Sequence, residues 1–390
     1  MTALFLGLLF ASTAIYLVAA LVLSWSRRAD CARAPRDFTP PVSIIKPLSG
    51  LDDELEENLE SFYRLDYPFY EVVFSFASNE DPALRVARRV ADRHSGVPTV
   101  FVVDRREPAA NSKVNRLAAG SRRARYRHLL FSDGNVRVRE DFLRRAVAPF
   151  RDRSVGLVSN LFRGSWAQTI GSRVECLYLN GTLQPGTAAI ARLLKQPCVV
   201  GKSILISRDA LEAIGGFGAV GDYLAEDYLF GIEVRKAGYR VVLSADALDT
   251  TEIRKPPSAA WARHRRWAII RRRVGGASYL AEILASPIPF YAGALFSAAH
   301  PAVPAIATGL LGIRYVIEAV AERDAGRPLA AADLPLLLLR DLAVAVLFWV
   351  GLTARTTAWR GRPLTIGRRS LIQIKTSAPA RILSPATNSR

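Results

Sequence analysis

Pro41-Val-Ser-Ile-Ile-Lys-Pro-Leu-Ser-Gly50 sets the reading of the chain. Val42 to Ile45 is a short, mostly apolar run that reads as a buried strand, and it ends in the polar, glycine-containing cluster Lys46-Pro-Leu-Ser-Gly50. The same unit returns further along. Glu71 to Phe76 reads as a second strand, followed by Ser78-Asn-Glu-Asp81 and a helix with Leu84, Ala87 and Ala91 on one stripe. Thr99 to Val103, His128 to Phe131, Val155 to Ser159 and Tyr239 to Leu243 continue the series, and Ser132-Asp-Gly-Asn135 closes the fourth run. Helix-rich stretches separate these runs, which predicts a doubly wound, mostly parallel α/β sheet. Ligands of such sheets bind beyond the carboxyl ends of the strands, where the polar clusters fall.

Apolar segments lie on both sides of this core. Thr2 to Trp25 is uncharged and apolar, about 36 Å long at roughly 1.5 Å per residue, enough for one bilayer crossing. It has no preceding cation and exceeds a signal-peptide core in length. Arg27, Arg28, Arg33 and Arg36 follow it and place the next segment in the cytoplasm. Leu284 to Gly312 and Leu334 to Leu352 are again apolar, and the basic stretch after Arg355 asks for an even number of crossings before it. The divisions are therefore an anchor at 1–28, a cytoplasmic α/β domain at 38–275, a membrane region at 280–354 and a basic cytoplasmic tail at 355–390. Trp166 to Leu194 reads equally as a helix in the headgroup region or as an amphipathic core helix. Arg340 and Asp341 interrupt the last apolar run. Neighbours on a helix point about 100° apart and need not pair. The two charges lie either near the interface, with Arg340 snorkelling, or beside a polar groove that admits a lipid headgroup.

Composition narrows the partners. The 390 residues carry a net charge of +18, which suits an anionic partner, and half of them are hydrophobic, which favours a membrane protein over a nucleic-acid binder. Cys31, Cys176 and Cys198 show neither metal-ligand spacing nor a disulfide framework, so a reducing setting is expected. Abundant Ala and Arg with a single Met fit a bacterial genome rich in GC.

Four places carry residues suited to chemistry, and each has a plain structural account. Asp81 before Pro82 is a good helix cap. Asp133 in Ser-Asp-Gly-Asn fits an Asx turn, and it is also a strand-end carboxylate of the kind that holds Mg²⁺ or Mn²⁺ together with substrate phosphates. Glu226 and Asp227 complement a helix dipole, or supply a base. Arg263, Arg266 and Trp267 share one helix face, which suits a membrane-surface helix or a set of cations for a leaving phosphate.

The ordered set resembles the ceramide glucosyltransferases, a branch of the membrane-bound inverting glycosyltransferases. The matching pieces are Lys46-Pro-Leu-Ser-Gly50, Asn58-Leu-Glu-Ser-Phe62, Leu65-Asp-Tyr-Pro68, Glu80-Asp-Pro-Ala83, Ser112-Lys-Val-Asn115, Asp133, Ala225-Glu-Asp-Tyr228 and Arg263-His-Arg-Arg-Trp267. The resemblance implies a GT-A type fold and a UDP-sugar donor. It implies that Lys46, Asp81 and Lys113 serve the nucleotide-sugar and that Asp133 holds a divalent cation, Mg²⁺ or Mn²⁺. It makes Asp227 the general base, and lines the diphosphate and acceptor side with Arg263, Arg266 and Trp267. Where many relatives carry Asp-x-Asp, this chain has Asp133-Gly-Asn135, a single carboxylate. The implied reaction is transfer of a hexose, glucose above all, from the UDP-sugar to the hydroxyl of a membrane lipid such as ceramide, with inversion, at the cytoplasmic face of a bacterial inner membrane. A hopanoid or diacylglycerol acceptor is the nearest alternative, and a non-catalytic adaptor for anionic lipid is the alternative of another class. No nucleic-acid partner is expected.

Overall fold

The structure is a computed structural model and describes residues 1–31, 37–359 and 362–374. Arg33 and Arg36 lie outside the described residues, as does the tail from 375 onward. The chain opens with α1 (Thr2–Cys31) and then enters the α/β unit. That unit runs β1 (Val42–Pro47), α2 (Leu55–Glu60), β2 (Tyr70–Phe76), α3 (Pro82–Arg93), β3 (Thr99–Val103), α4 (Ser112–Arg123), β4 (His128–Ser132), β5 (Val136–Arg137) and α5 (Phe142–Val147). It continues with β6 (Val155–Ser165), α6 (Ile170–Tyr178), a π-helical turn (Leu179–Leu183), α7 (Gln184–Leu193), β7 (Ser203–Ser207), α8 (Arg208–Ala213), α9 (Glu226–Lys236), β8 (Arg240–Thr251) and α10 (Pro257–Gly275).

Eight strands form one sheet in the order β3-β2-β1-β4-β7-β6-β8-β5. The pairs β3/β2, β2/β1, β1/β4 and β6/β8 are parallel, while β7 is antiparallel to both of its neighbours. The doubly wound, mostly parallel expectation holds, with β7 and the short edge strand β5, antiparallel to β8, as the reversed strands. Alternation along the strands separates two cores. Ile44, Val72, Phe74 and Leu130 pack on one face of the sheet. Ile45, Val73, Leu129 and Phe131 pack on the other. Parallel strands covered on both faces read as continuous apolar runs, which is why they were legible.

Because β7 runs backwards, its first residue, Ser203, pairs with the last residue of β4, Ser132. Gly201 and Lys202 therefore arrive at the carboxyl edge of the sheet, next to Asp133. The run Ser203-Ile-Leu-Ile-Ser207 was overlooked as a strand; its apolar centre is three residues long and gives no direction.

The segment Trp166 to Leu194 is core on one side and surface on the other. Glu175 of α6 is fully buried in the catalytic unit, whereas Ile170, Leu193 and Leu194 are exposed. Leu23 of α1 packs beside Ala188 of α7 and Leu161, Leu243 and Ala245 of the sheet, so the first helix is seated on the catalytic unit.

After α10 come a 3₁₀ stretch (Gly276–Ala285), α11 (Ile288–Phe296), α12 (Ala302–Asp324) and α13 (Leu334–Thr353). Among the described residues three helices are long and apolar enough to cross a membrane: Thr2–Asp30, Ala302–Asp324 and Ala331–Thr353. Pro257–Ala285 with Ile288–Phe296, bent by 61°, makes a fourth candidate. The region past Arg355 is not a plain tail. β9 (Thr356–Trp359), β10 (Arg362–Ile366) and β11 (Ile372–Ile374) form an antiparallel sheet whose Leu364, Ile366 and Ile372 pack with Leu224 and Ile269 of the catalytic unit.

Arg340 and Asp341 do pair. Arg340 Nε donates to Asp341 Oδ1 at 2.9 Å, and its guanidinium makes a two-pronged ion pair with Glu318 of α12. Tyr315 donates to Asp341 Oδ2 at 3.1 Å, and the Leu177 carbonyl accepts from Arg340 Nη1. Both residues are at most 1% exposed, so Arg340 does not snorkel out of the protein and neither side chain opens onto a polar groove. Gly181, in the π-helical turn, makes room for this network: a Cβ there would overlap the Glu318 carboxylate.

Removing one partner of a buried ion pair leaves the other charge uncompensated, at a cost on the order of 3–5 kcal/mol. Glu318→Ala and Gly181→Ala should both lower the thermal unfolding midpoint in detergent by several degrees, whereas Val316→Ala, on the exposed side of α12, should leave it nearly unchanged. Equal midpoints in all three variants would show that the network contributes no stability.

Candidate active site

The carboxyl edge of β1 and β4, the start of β7 and the first turns of α4 and α9 converge on one side chain, Lys113. Asn111 caps α4 by accepting from the amides of Lys113 and Val114, and its Nδ2 donates to the Tyr223 carbonyl and to Glu226. This cap ties α4 to the loop before α9. Lys113 Nζ then lies 2.9 Å from Asp133 Oδ1, 3.2 Å from Glu226 Oε1 and 3.1 Å from the Gly201 carbonyl. Burial alone would lower its pKa, but the charges of Asp133 and Glu226 hold the ammonium far above its usual range.

Asp133 is gripped from two sides. Lys202 Nζ lies 3.1 Å from its second carboxylate oxygen and donates to Asn135 Oδ1 at 2.6 Å. Burial would raise the Asp133 pKa; the two lysines outweigh it and hold the carboxyl well below the usual range. Lys46 sits beneath. It is fully buried, donates to the Asp133 carbonyl at 2.9 Å, and has its ammonium 3.6 Å from the centre of the Phe62 ring. Burial pushes its pKa down to about 7. It supports the loop and has no exposed surface to offer a ligand. Asp81 caps α3 through Ala83 and also accepts from the Gly50 amide at 3.0 Å, so it fixes the loop after β1 at the rim.

Asp227 is held by backbone. Its Oδ2 accepts from the Gly201 amide at 2.9 Å and its Oδ1 from the Tyr228 amide at 2.8 Å. A Cβ at Gly201 would come within 3.0 Å of Asp227 Oδ2 and 3.2 Å of Lys113 Nζ, so a larger residue would crowd both. Burial, and then the neighbouring Glu226 charge, raise the Asp227 pKa above the usual carboxylate range, against the opposing pull of Lys113. The approach to α9 is fixed from the C-terminal sheet: Ser370 Oγ accepts from the Ala225 amide, and its carbonyl from Leu224.

Arg263 and Arg266 of the Arg263–Trp267 stretch differ in their commitments. Arg263 donates to Glu175 at 2.8 Å and to Glu252 at 2.7 Å, both buried, and Lys255 adds a further ion pair to each. His264 joins Glu175 at 2.7 Å and meets the Trp267 ring edge-on at 5.5 Å. This knot fastens α10 to α6 and to the end of β8. Arg266 is half-buried and makes no hydrogen bond or ion pair among the described residues. Burial, and then repulsion from Arg263, lower its pKa.

The structure thus gathers Lys46, Lys113, Asp133 and Asp227 into one cluster, puts Asp81 at its rim, and sets Arg263, Arg266 and Trp267 in a second group. Glu226 joins the first cluster beside Asp227, with which the sequence paired it; Lys202, Glu175, Glu252 and Asp52 were not foreseen as members. Asp52 matters most. A Cβ at Gly134 would come within 2.6 Å of Asp52 Oδ2, so the glycine lets that carboxylate lie against the Asp133 loop. Asp52 thus brings a second carboxylate to the loop that carries Asp133 and Asn135. Among the described residues no three acidic, histidine or cysteine side chains converge as a metal cage. Asp133 and Asp52 are oxygen donors of the kind a hard ion takes together with phosphate and water, but both Asp133 oxygens are paired with Lys113 and Lys202, so an ion would bind there in place of a lysine.

A family profile, Glycosyl transferase family 21, matches residues 8–372. Ceramide glucosyltransferases 3 and 1 of Caenorhabditis elegans are each 30% identical, over 233 and 240 residues, which is 59% and 61% of this chain. The match spans about half the length of these relatives (50% and 51%). Among solved structures, a mannosyltransferase of Pyrobaculum calidifontis in complex with GDP-Man and Mn²⁺ superposes over 90% of this chain and 99% of its own, with a TM-score of 0.50 and 21% identity, a likeness of fold.

The Glu175 knot yields a pH test. Burial would raise the Glu175 pKa, but the His264 hydrogen bond and the charges of His264, Arg263 and Lys255 hold it at about 2. A depressed acid stabilises the fold above its unfolded pKa and loses that contribution as pH falls through the folded value. The unfolding midpoint should therefore drop between about pH 4.5 and pH 2, the range set by the free and held carboxyl. Glu175→Gln should lower the midpoint at pH 7 and flatten this acid limb; an unchanged limb would remove Glu175 from the account.

Proposed function

The chain belongs to glycosyl transferase family 21, and from that premise we propose that it transfers a hexose, glucose in the first instance, from a UDP-sugar to the primary hydroxyl of a membrane lipid of the ceramide class. The observation that carries this reading is the Lys113 cluster. One ammonium links Asp133, on the side where a diphosphate would lie, to the Glu226–Asp227 turn, where a base is held by two amides.

An alcohol is a weak nucleophile at neutral pH, so the proton must leave as the bond forms. Asp227 accepts it, and its raised pKa suits that task. The bond between the lipid oxygen and the anomeric carbon forms as the bond from that carbon to the β-phosphate oxygen breaks, and UDP departs with the electron pair. Attack opposite the leaving group turns an α-donor into a β-glycoside. Lys113, Lys202 and the unpartnered Arg266 offset the growing charge on the diphosphate. Asp133, with Asp52 alongside, would hold a divalent cation, Mg²⁺ or Mn²⁺, which would neutralise further charge there. In this reading residues 38–275 form the catalytic domain, and the cations after α1 put it on the cytoplasmic side. The acceptor never leaves the bilayer, which accounts for a catalytic unit seated on membrane helices.

The general assay is incubation of the purified protein with several UDP-sugars and vesicles of ceramide, hopanoid or diacylglycerol, followed by mass spectrometry of the lipids. A hexose added to ceramide supports the reading, one added to another lipid moves the acceptor, and none added to any lipid removes the activity. Asp227→Asn should lower kcat by on the order of 10²–10⁴-fold, the usual value of a general base, with UDP affinity kept. In the unsubstituted protein kcat should fall as pH is lowered through the raised Asp227 pKa, above the range of a free carboxyl at about 4. Full turnover in the asparagine variant would overturn the assignment. Arg266→Ala should slow transfer about tenfold or more, and Arg266→Lys should recover part of it, lacking the planar fork. Equal rates in all three forms would leave Arg266 as a surface cation.

A further inference from the structure

By length and composition α13 passes for a third membrane crossing. Its flanks contradict that. Just before it, Asp333 pairs with Arg173 of α6 at 2.5 Å, and Arg327 donates to the Gly164 carbonyl of β6. Just after it, Arg265 of α10 donates to the Thr356 carbonyl at 2.8 Å. The chain then goes on to bond the catalytic unit again: Ile372 N to the Asp222 carbonyl at 2.9 Å, Leu224 N to that of Ser370 at 3.0 Å, and Arg369 to Glu233 at 2.6 Å. The two anchors themselves sit on helices joined directly, through Glu175 of α6 and His264 of α10. Both ends of α13 thus meet the same folded unit. A helix that crossed a bilayer would leave its ends on opposite faces.

We propose that α13 lies in the plane of the membrane, within the leaflet that faces the catalytic unit, and that its outward stripe is an interaction surface for the acyl chains of that leaflet. The depth follows from α12. Ser12 of α1 accepts from Arg314 of α12, and Thr2 reaches the carbonyl of Ser297, so α1 and α12 run side by side with their N-termini together at the far face. The C-terminal end of α12 is then on the catalytic side. Arg340 meets Glu318 and Asp341 meets Tyr315, six and nine residues from that end, or about 9 to 14 Å at 1.5 Å per residue, which stays within one leaflet of a hydrocarbon core roughly 30 Å thick. Leu334, Leu338, Leu342, Val346 and Trp349 are exposed at intervals of four and three residues and form one apolar stripe. It continues the lipid-facing surface of α12 at Ile313, Val316 and Val320. On the inner side, Arg340 and Asp341 are closed off by Glu318 and Tyr315, so no bare charge meets lipid. The two crossings after the catalytic unit are then the broken segment Gly276–Phe296 and α12. The break between Ala285 and Ile288 falls inside the protein: Arg314 donates to the Ala285 carbonyl, Ser12 to that of Leu284, and Ser286 to that of Asp341.

The inference is independent of the reaction catalysed. The test uses the full chain in sealed vesicles, with Cys31, Cys176 and Cys198 replaced by serine and single cysteines introduced by Arg153→Cys, His300→Cys or Arg368→Cys. A membrane-impermeant maleimide should label the Arg153→Cys and Arg368→Cys proteins from the same side and the His300→Cys protein from the other. Labelling of Arg368→Cys together with His300→Cys would overturn the proposal. Nitroxides placed through Leu338→Cys, Leu342→Cys, Val346→Cys and Trp349→Cys should report one common depth by oxygen accessibility. A crossing helix would spread the first and last by about 16 Å, at 1.5 Å per residue, and that result would also overturn it. So would water-like accessibility, or dipolar broadening from a second copy at the stripe.

Discussion

The geometry of the site hangs on one buried ammonium. Lys113 lies within 3.2 Å of two carboxylates and a backbone carbonyl that come from three separate parts of the chain: the end of β4, the start of α9 and the approach to β7. A lysine out of water is tolerated only where opposite charge surrounds it, and carboxylates forced together need a cation between them. Each group is the condition for the other. The consequence is positional: Asp227, which touches no lysine directly, is aimed by Gly201, whose amide it accepts and whose carbonyl Lys113 holds.

Further charge clusters repeat this solution outward. Arg263, Lys255 and His264 surround Glu175 and Glu252, and so fasten α10 to α6 and the sheet. Arg340 with Glu318 and Asp341 then fastens α13 to α12, and the Leu177 carbonyl carries that contact back to α6. Helix α6 takes part in both clusters. Its continuation into a π-helical turn brings Gly181 against the Glu318 carboxylate, where no side chain fits. The membrane helices are thereby built onto the catalytic unit rather than tethered to it.

Much of the fold was legible because buried parallel strands are continuous apolar runs, and a run such as Glu71 to Phe76 can hardly be anything else. Direction was not. β7 is apolar over Ile204 to Ile206, and only its pairing with β4 reverses it. That reversal is what brings Lys202 to Asp133, so the lysine could not be found along the sequence. Asp52 stayed hidden for a like reason. It sits 81 residues before Asp133, and the glycine between Asp133 and Asn135 gave no hint that it makes room for a carboxylate from elsewhere. Lys113, Asp133 and Asp227 were named from short stretches, and the structure gathers them; their roles in transfer rest on the proposal. Arg263 was named for the diphosphate, yet its guanidinium is spent on two buried acids whose approach no local pattern encodes. The C-terminal strands carried a period-two signal in Leu364-Thr-Ile366 that the surrounding cations obscured.

The account stands on Asp227 receiving the proton of an attacking alcohol while the diphosphate leaves on the opposite side. The stereochemistry of the product records this. The purified protein would be given UDP-glucose labelled with ¹³C at the anomeric carbon, together with ceramide vesicles, and the anomeric coupling of the extracted lipid read by NMR before any equilibration. The account predicts a β-glucoside alone. An α-glucoside, which requires a retained configuration, would contradict direct displacement and the place given to Asp227.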